Sequence, residues 1–359
     1  MRKIKLFFNR IKLVLKNKYF LLCAAVIVIA GGALIYVALT KPAEMPNIQI
    51  PVKKPAPVDT RVQSKLEGIK VDPSVNNRKI LAVVVENHPD ARPQSGLDKA
   101  SIIYETLAEG GITRFLALYQ ENQAEEIGPV RSARLCFLDW TLEYDALFAH
   151  VGGNVLALNK IGPLGIQDIN QFYYANYFWR DNSRYAPHNV YTSTEKLRAA
   201  GAQKKYPTTS DFKGLDFKAD ASPDQRPASA QLTVHFSGYE FDPTYTYDRN
   251  NNVWLRSEAG VPFKDKVTGK QIAPKNVIVQ YEGYSNITDI YDHTLSNFQT
   301  LGSGKAEFYM DGKQIVGTWE KADRKSQTVY KDSVGNPIKL DTGQTWIEVV
   351  PSGNTVDFR

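Results

Sequence analysis

An uncharged run of 21 residues, YFLLCAAVIVIAGGALIYVAL (residues 19–39), constrains this chain more than any other stretch. About 20 apolar residues in a helix span the hydrocarbon core of a bilayer. Tyr19 and Tyr36 fall where interfacial aromatics sit. The apolar region of a signal peptide runs to about 7–15 residues and ends at small residues, and this run is longer with no clear cleavage site after it. A lipoprotein signal needs a small residue directly before its cysteine, whereas Cys23 follows Leu21 and Leu22 deep in the run. The expectation is an uncleaved N-terminal transmembrane helix.

Charge sets its orientation. Residues 1–18 hold seven basic residues and no acidic one, and the remaining 37 Lys and Arg face 38 Asp and Glu. Only Lys41 follows the span closely, so a single-pass cell-membrane protein is expected, with a cytoplasmic N-terminus and the bulk of the chain extracytoplasmic. The basic tail carries Ile4, Phe7, Ile11 and Leu15 at helical spacing. It either lies along the anionic inner leaflet or acts as a solvated orientation signal. Without that tail the chain is nearly neutral and lacks a basic footprint for nucleic acid. Cys136 is the one cysteine outside the span, which excludes an intrachain disulfide there and reads as a small buried hydrophobe.

Residues 40–77 read as a proline-rich stalk, with five prolines in residues 41–60 favouring extended backbone. Residues 78–206 read as an α/β or α+β domain with a mixed sheet. ILAVVVEN is a continuous apolar strand. SIIYET and ITRFLALYQ are joined by LAEGG, too short for a parallel crossover, so they pair antiparallel. Residues 134–144 and 154–161 are helical, ALFAHVGG is a strand, and TEKLRAAGAQ is a helix with Thr194 as its N-cap. Residues 207–230 are polar and weakly periodic, and are expected to link to a small all-β domain over residues 231–359. Aromatics on its strands, Tyr239, Tyr245, Tyr247, Trp254, Tyr281, Tyr309, Trp319 and Trp346 among them, serve either core packing or an exposed stacking row.

Four loops of the first domain concentrate chemistry: ENHPDARPQSG, EGGITR, IGPVRSAR and WRDNSRYAPHN. They supply Arg92, Arg114, Arg131, Arg134, Arg180, Arg184 and Asn87 as candidate ligand contacts, because guanidinium groups grip carboxylate or phosphate in two-pronged fashion. Pro129 is expected to open a helical turn whose free N–H groups attract anions. Against this, the arginines can simply pair with Glu105, Glu109, Asp139 or Asp181. His188, Asp181 and His88 are the candidate acid–base set, with Asp181 orienting His188. His88, His150 and His188 with Glu86 or Asp181 have zinc-compatible chemistry, but no local ligand spacing supports a metal site and none is expected. Phosphate-loop, dinucleotide and serine-elbow motifs are missing, so no cofactor is expected.

The runs ENHPDARPQSGLDKASIIYETLAEGGITRFLALYQ, IGPVRSARLCFLDWTLEYDALFAHVGG and WRDNSRYAPHNVYTS resemble the YerB-like family of bacterial envelope proteins, whose function is uncharacterised and whose members often carry a lipoprotein label. The resemblance covers about residues 80–193 and continues more loosely through NVIVQY, GSGKAEFYMDGKQIVGTWEK and GQTWIEVVP. It implies a two-domain extracytoplasmic protein and no established reaction, so no catalytic residue carries over. The chain departs from the lipoprotein-labelled members in lacking a lipobox cysteine. The resulting expectation is a membrane-anchored binding or interaction module of the cell envelope. It would recognise an anionic ligand, a cell-wall polymer or an envelope protein through its arginine loops. The alternative is an envelope hydrolase or transferase acting on a phosphorylated or glycan substrate.

Overall fold

The computed structural model describes residues 18–40 and 59–359, which form two separate units. The basic tail and the first part of the expected stalk lie outside the described residues. In the first unit, α1 (Lys18–Thr40) is one continuous helix. From Leu21 to Thr40 it is long and apolar enough to cross a membrane, and none of that stretch is buried.

The second unit begins earlier than the expected domain start. Residues 59–77, read as the end of the stalk, form a small antiparallel pair between Val62–Gln63 and Lys70–Val71, and Leu66 is fully buried. The principal elements that follow are β1 (Leu81–Glu86), β2 (Ile102–Leu107), β3 (Thr113–Tyr119), α2 (Leu135–Glu143), β4 (Leu147–His150), α3 (Val155–Ile161), β5 (Gln167–Asn170) and α4 (Thr194–Gln203). After residue 230 come β6 (Gln231–Val234), β7 (Thr244–Asp248), β8 (Val253–Glu258), β9 (Val261–Pro262), β10 (Asn276–Glu282), β11 (Tyr284–Thr288), β12 (Thr294–Phe298), β13 (Gly302–Met310), β14 (Lys313–Lys321), β15 (Val329–Asp332), β16 (Thr345–Pro351) and β17 (Val356–Phe358).

A mixed ten-stranded sheet is the backbone of this unit, in the order β15-β14-β13-β10-β16-β2-β3-β1-β4-β5. Strands from before and after residues 207–230 thus share one sheet. The joint is β16, which runs parallel to β10 on one side and parallel to β2 on the other. Residues 207–230 themselves contribute Phe217–Lys218, paired with Leu340–Asp341, and the buried Phe212. A five-stranded sheet, β9-β8-β7-β6-β17, packs on the larger one.

Both faces of the large sheet are covered, and the alternation of side chains along β1 shows it. Ala82 and Val84 enter one core with Phe137 and Trp140 of α2 and Trp254 of β8. Leu81, Val83 and Val85 enter the other with Leu197 of α4, Phe115, Phe263 and Trp346. This two-faced burial explains why β1 reads as an unbroken apolar run. Strands β2 and β3 pair antiparallel as expected, through a turn in which Gly110 and Gly111 adopt φ of 70° and 75°, open to glycine at no steric cost. Of the eight aromatics named from the sequence, seven are core residues and Tyr239 is exposed.

Two local expectations are corrected. The N-cap of α4 is Ser193, whose hydroxyl accepts from the Lys196 N–H at 3.1 Å; Thr194 is already helical. Pro129 opens no helical turn, because α2 starts at Leu135. The N–H groups meant for an anion are spent on backbone carbonyls: Val130 donates to Val190, Arg131 to Val84, and Ala133 to Gly152.

Candidate functional site

Four loops meet at the end of β1. Glu86, its last residue, donates its N–H to Pro129 O, and Ser95 and Gly128 exchange backbone hydrogen bonds. Arg184 reaches from the fourth loop to the Ala91 and Pro93 carbonyls of the first. Arg134 ties the third loop to the second by binding Glu109, with Nε at 2.7 Å from the carboxylate.

Glu86 is the hub. It is 2% exposed, and its two oxygens hold two different partners. His188 Nδ1 donates to Oε2 at 2.8 Å, while Arg131 Nε lies 2.9 Å from Oε1, an ion pair rather than an aligned hydrogen bond. The His88 ring stacks on that of His188, with centroids 4.8 Å apart and planes at 22°. Asp181 was expected to orient His188 on the strength of sequence proximity. Its carboxylate instead binds Lys266 Nζ at 2.7 Å and the Ser183 N–H at 2.8 Å, and Glu86, 102 residues from His188, takes that role.

Arg114 stands opposite Glu86 in the β1–β3 ladder. It is 5% exposed, and its Nε and Nη1 make no hydrogen bond among the described residues. Burial, then the like charges of Arg134 and Arg131, push its guanidinium down to about 9. At Glu109, burial raises the carboxyl, but the charge and hydrogen bonds of Arg134 outweigh it and hold the group below its ordinary value. Three arginines (Arg114, Arg131, Arg134) therefore share two carboxylates, Glu86 and Glu109, leaving one excess positive charge on the least solvated of them. Arg134 and Ser132 line a groove of about 910 Å³, together with Asn154, Asp289, Tyr291 and His293.

The remaining candidates are engaged elsewhere. Asn87, expected as a ligand contact, is instead fully buried, and its Nδ2 donates to Glu105, Thr113 and Glu258 at 3.2, 2.7 and 2.8 Å. Arg92 binds Asn87 O and Oδ1 and sits 3.3 Å from Glu258. Arg180 donates to Asn189 Oδ1 at 2.7 Å. His150 is distant in role as well as in sequence from the two stacked histidines, being buried between Gly152 O and Asp168 Oδ1. Cys136 is buried, and burial raises its thiol well above the ordinary value, as suits a packing residue.

Asn87 and Arg92 belong to a buried network that the sequence did not disclose. Arg256 on β8 is fully buried, donating to Glu105 at 2.6 Å and to Glu258 at 2.8 Å, while Phe263 and Trp346 rings cover its guanidinium at 4.2 and 4.6 Å. Glu105 lies on β2, so this arginine fastens the smaller sheet to the larger.

Residues 66–207 match the family described as "Protein of unknown function (DUF3048) N-terminal domain", and residues 232–347 match its C-terminal domain. The chain is 34% identical over 303 residues to "Putative lipoprotein YerB" of Bacillus subtilis (strain 168), covering 83% of this chain and 90% of the relative. The crystal structure of the YerB protein from Bacillus subtilis superposes with a TM-score of 0.74 at 31% identity, over 83% of this chain and all of the other. The chain belongs to the YerB-like family. The two family segments fall on either side of residues 208–231, and the mixed sheet followed by a strand-rich second half is the YerB fold.

Proposed function

We propose that this YerB-like protein is a single-pass, membrane-tethered binding module of the cell envelope. Its N-terminus is cytoplasmic, and it recognises an anionic group at the cluster of Arg114, Arg131 and Arg134. The helix α1 and the relative described as a lipoprotein support the tether. One observation carries the ligand class: Arg114 is almost fully buried, its Nε and Nη1 have no hydrogen-bond partner among the described residues, and the Glu109 and Glu86 charges that act on it are shared with Arg134 and Arg131. A carboxylate or phosphate arriving beside it, through the groove that Arg134 lines, supplies the missing counter-charge. The test is thermal unfolding of the full-length protein in detergent with phosphate, pyrophosphate or wall glycans. A ligand at 100 times its Kd adds about 2.7 kcal/mol. The Arg114→Gln variant should lose that shift. No shift in the parent with any of these anions overturns the reading.

A second reading is an envelope hydrolase or transferase acting on a phosphorylated or glycan substrate. His188 favours it, because a buried carboxylate fixes its Nδ1 proton and leaves Nε2 for acid–base work. His188→Gln would then abolish turnover of a glycan or phosphoester while leaving anion binding intact.

A further inference from the structure

The loop after β1 places a second set of donors beside Glu86. We propose that His88, Asp90 and His188 form a binding site for a divalent transition metal of the zinc type. This goes beyond the anion-binding reading and uses different residues. One donor atom from each of the three lies within 4.8 Å of the others. His88 Nδ1 and Asp90 Oδ2 are 3.5 Å apart. Donors on a tetrahedral ion with bonds of 2.0–2.1 Å lie about 3.3 Å apart, so this pair is already close to ligand spacing.

The protonation pattern suits a metal. His88 Nδ1 accepts from the Asp90 N–H at 3.2 Å, so it is unprotonated, and an ion bound at that nitrogen takes the place of this hydrogen bond. His188 donates through Nδ1 to Glu86, which leaves a lone pair on Nε2. A carboxylate behind a histidine is how metal-binding imidazoles are held in orientation and made more basic, and Glu86 is itself fixed by Arg131. The two rings are stacked, so the ion needs the His88 side chain to turn until its in-plane lone pair faces a common centre with His188. His88 and Asp90, at 33% and 73% side-chain exposure, have room to move once the His88–Asp90 N–H bond is given up, whereas His188 is held by Glu86. Two imidazoles and one carboxylate leave a fourth position open to water or to a ligand.

The experiment uses the full-length protein in detergent, stripped with chelator and titrated with zinc chloride by calorimetry. Visible absorption after cobalt(II) addition reports the coordination. One ion per chain is expected. His88→Gln, Asp90→Asn and His188→Gln should each weaken binding at least tenfold, and Glu86→Gln about 10–100-fold. Asp90→Asn is the variant to weigh most, since Asp90 is exposed, and circular dichroism of the variant should match the parent. Arg114→Gln should bind zinc as the parent does, which separates this site from the anion cluster. Substoichiometric binding, or unchanged affinity in Asp90→Asn and His88→Gln, overturns the proposal.

Discussion

Arg256 and Glu282 show two ways of placing charge in an interior. Arg256 has two carboxylates and four aromatic rings (Phe115, Tyr245, Phe263 and Trp346) around it, and removing one member of such a set costs about 3–5 kcal/mol because the others stay buried and unpaired. Arg256→Met should therefore lower the urea midpoint by that equivalent with little change in slope. Glu282 has no such partner. Burial, opposed by the Gln280 amide, then the Asp139 charge, the opposing Lys321 and the Glu143 charge, leave its carboxyl pushed up to about 8. The folded chain keeps a proton that the unfolded chain releases above its ordinary 4.5. Stability is then full below about pH 4.5 and falls as pH rises towards 8, by at most about 1.4 kcal/mol per pH unit. Glu67, also pushed up to about 8 by burial and the Glu121 charge, adds to the same slope. Glu282→Gln should flatten the parent's loss between pH 5 and 8, measured by denaturant unfolding at both. The residues of the site were half legible. The four loops and their arginines stand out by composition, but partner choice does not: Asp181 is seven residues from His188 and contributes nothing to it, while Glu86 hides as the last residue of an apolar strand.

At the scale of elements, local pattern served well wherever contacts are local. An unbroken apolar run located β1, helical spacing α2 and a capping hydroxyl α4, and the short LAEGG connection settled the β2–β3 pairing. Local pattern missed by one residue at the α4 cap, where Ser193 and Thr194 are both capable hydroxyls and only the chain's entry angle decides between them. It could not see sheet order, which depends on partners hundreds of residues away. The β14–β15 pairing offers a test at this scale. A Cβ on Gly317 would sit 1.9 Å from the Lys331 carbonyl oxygen, so the edge strand must move away. Gly317→Ala should cost about 1–3 kcal/mol and speed amide exchange in Val329–Asp332, while exchange in β1 and β3 stays as in the parent.

For the whole molecule, the position of β16 outweighs the composition break at residues 207–230. Texture changes there, and the family segments part there, yet the sheet continues across it. A chain ending at residue 206 leaves β2 with a bare edge and Ile103 uncovered, a pairing template for other chains. Expressed alone, residues 59–206 should aggregate or lack near-ultraviolet circular dichroism, whereas co-expression with residues 207–359 should rescue a 1:1 complex. A folded, monomeric first half would refute this. The same strand sets a schedule. Thr106 on β2 waits for Val349, 243 residues later, before its hydroxyl and its neighbours find their places. On a ribosome delivering about 5–20 residues per second, that interval lasts on the order of ten seconds or longer. During it the half-built sheet must be shielded, so a holding chaperone would decide the yield of this protein.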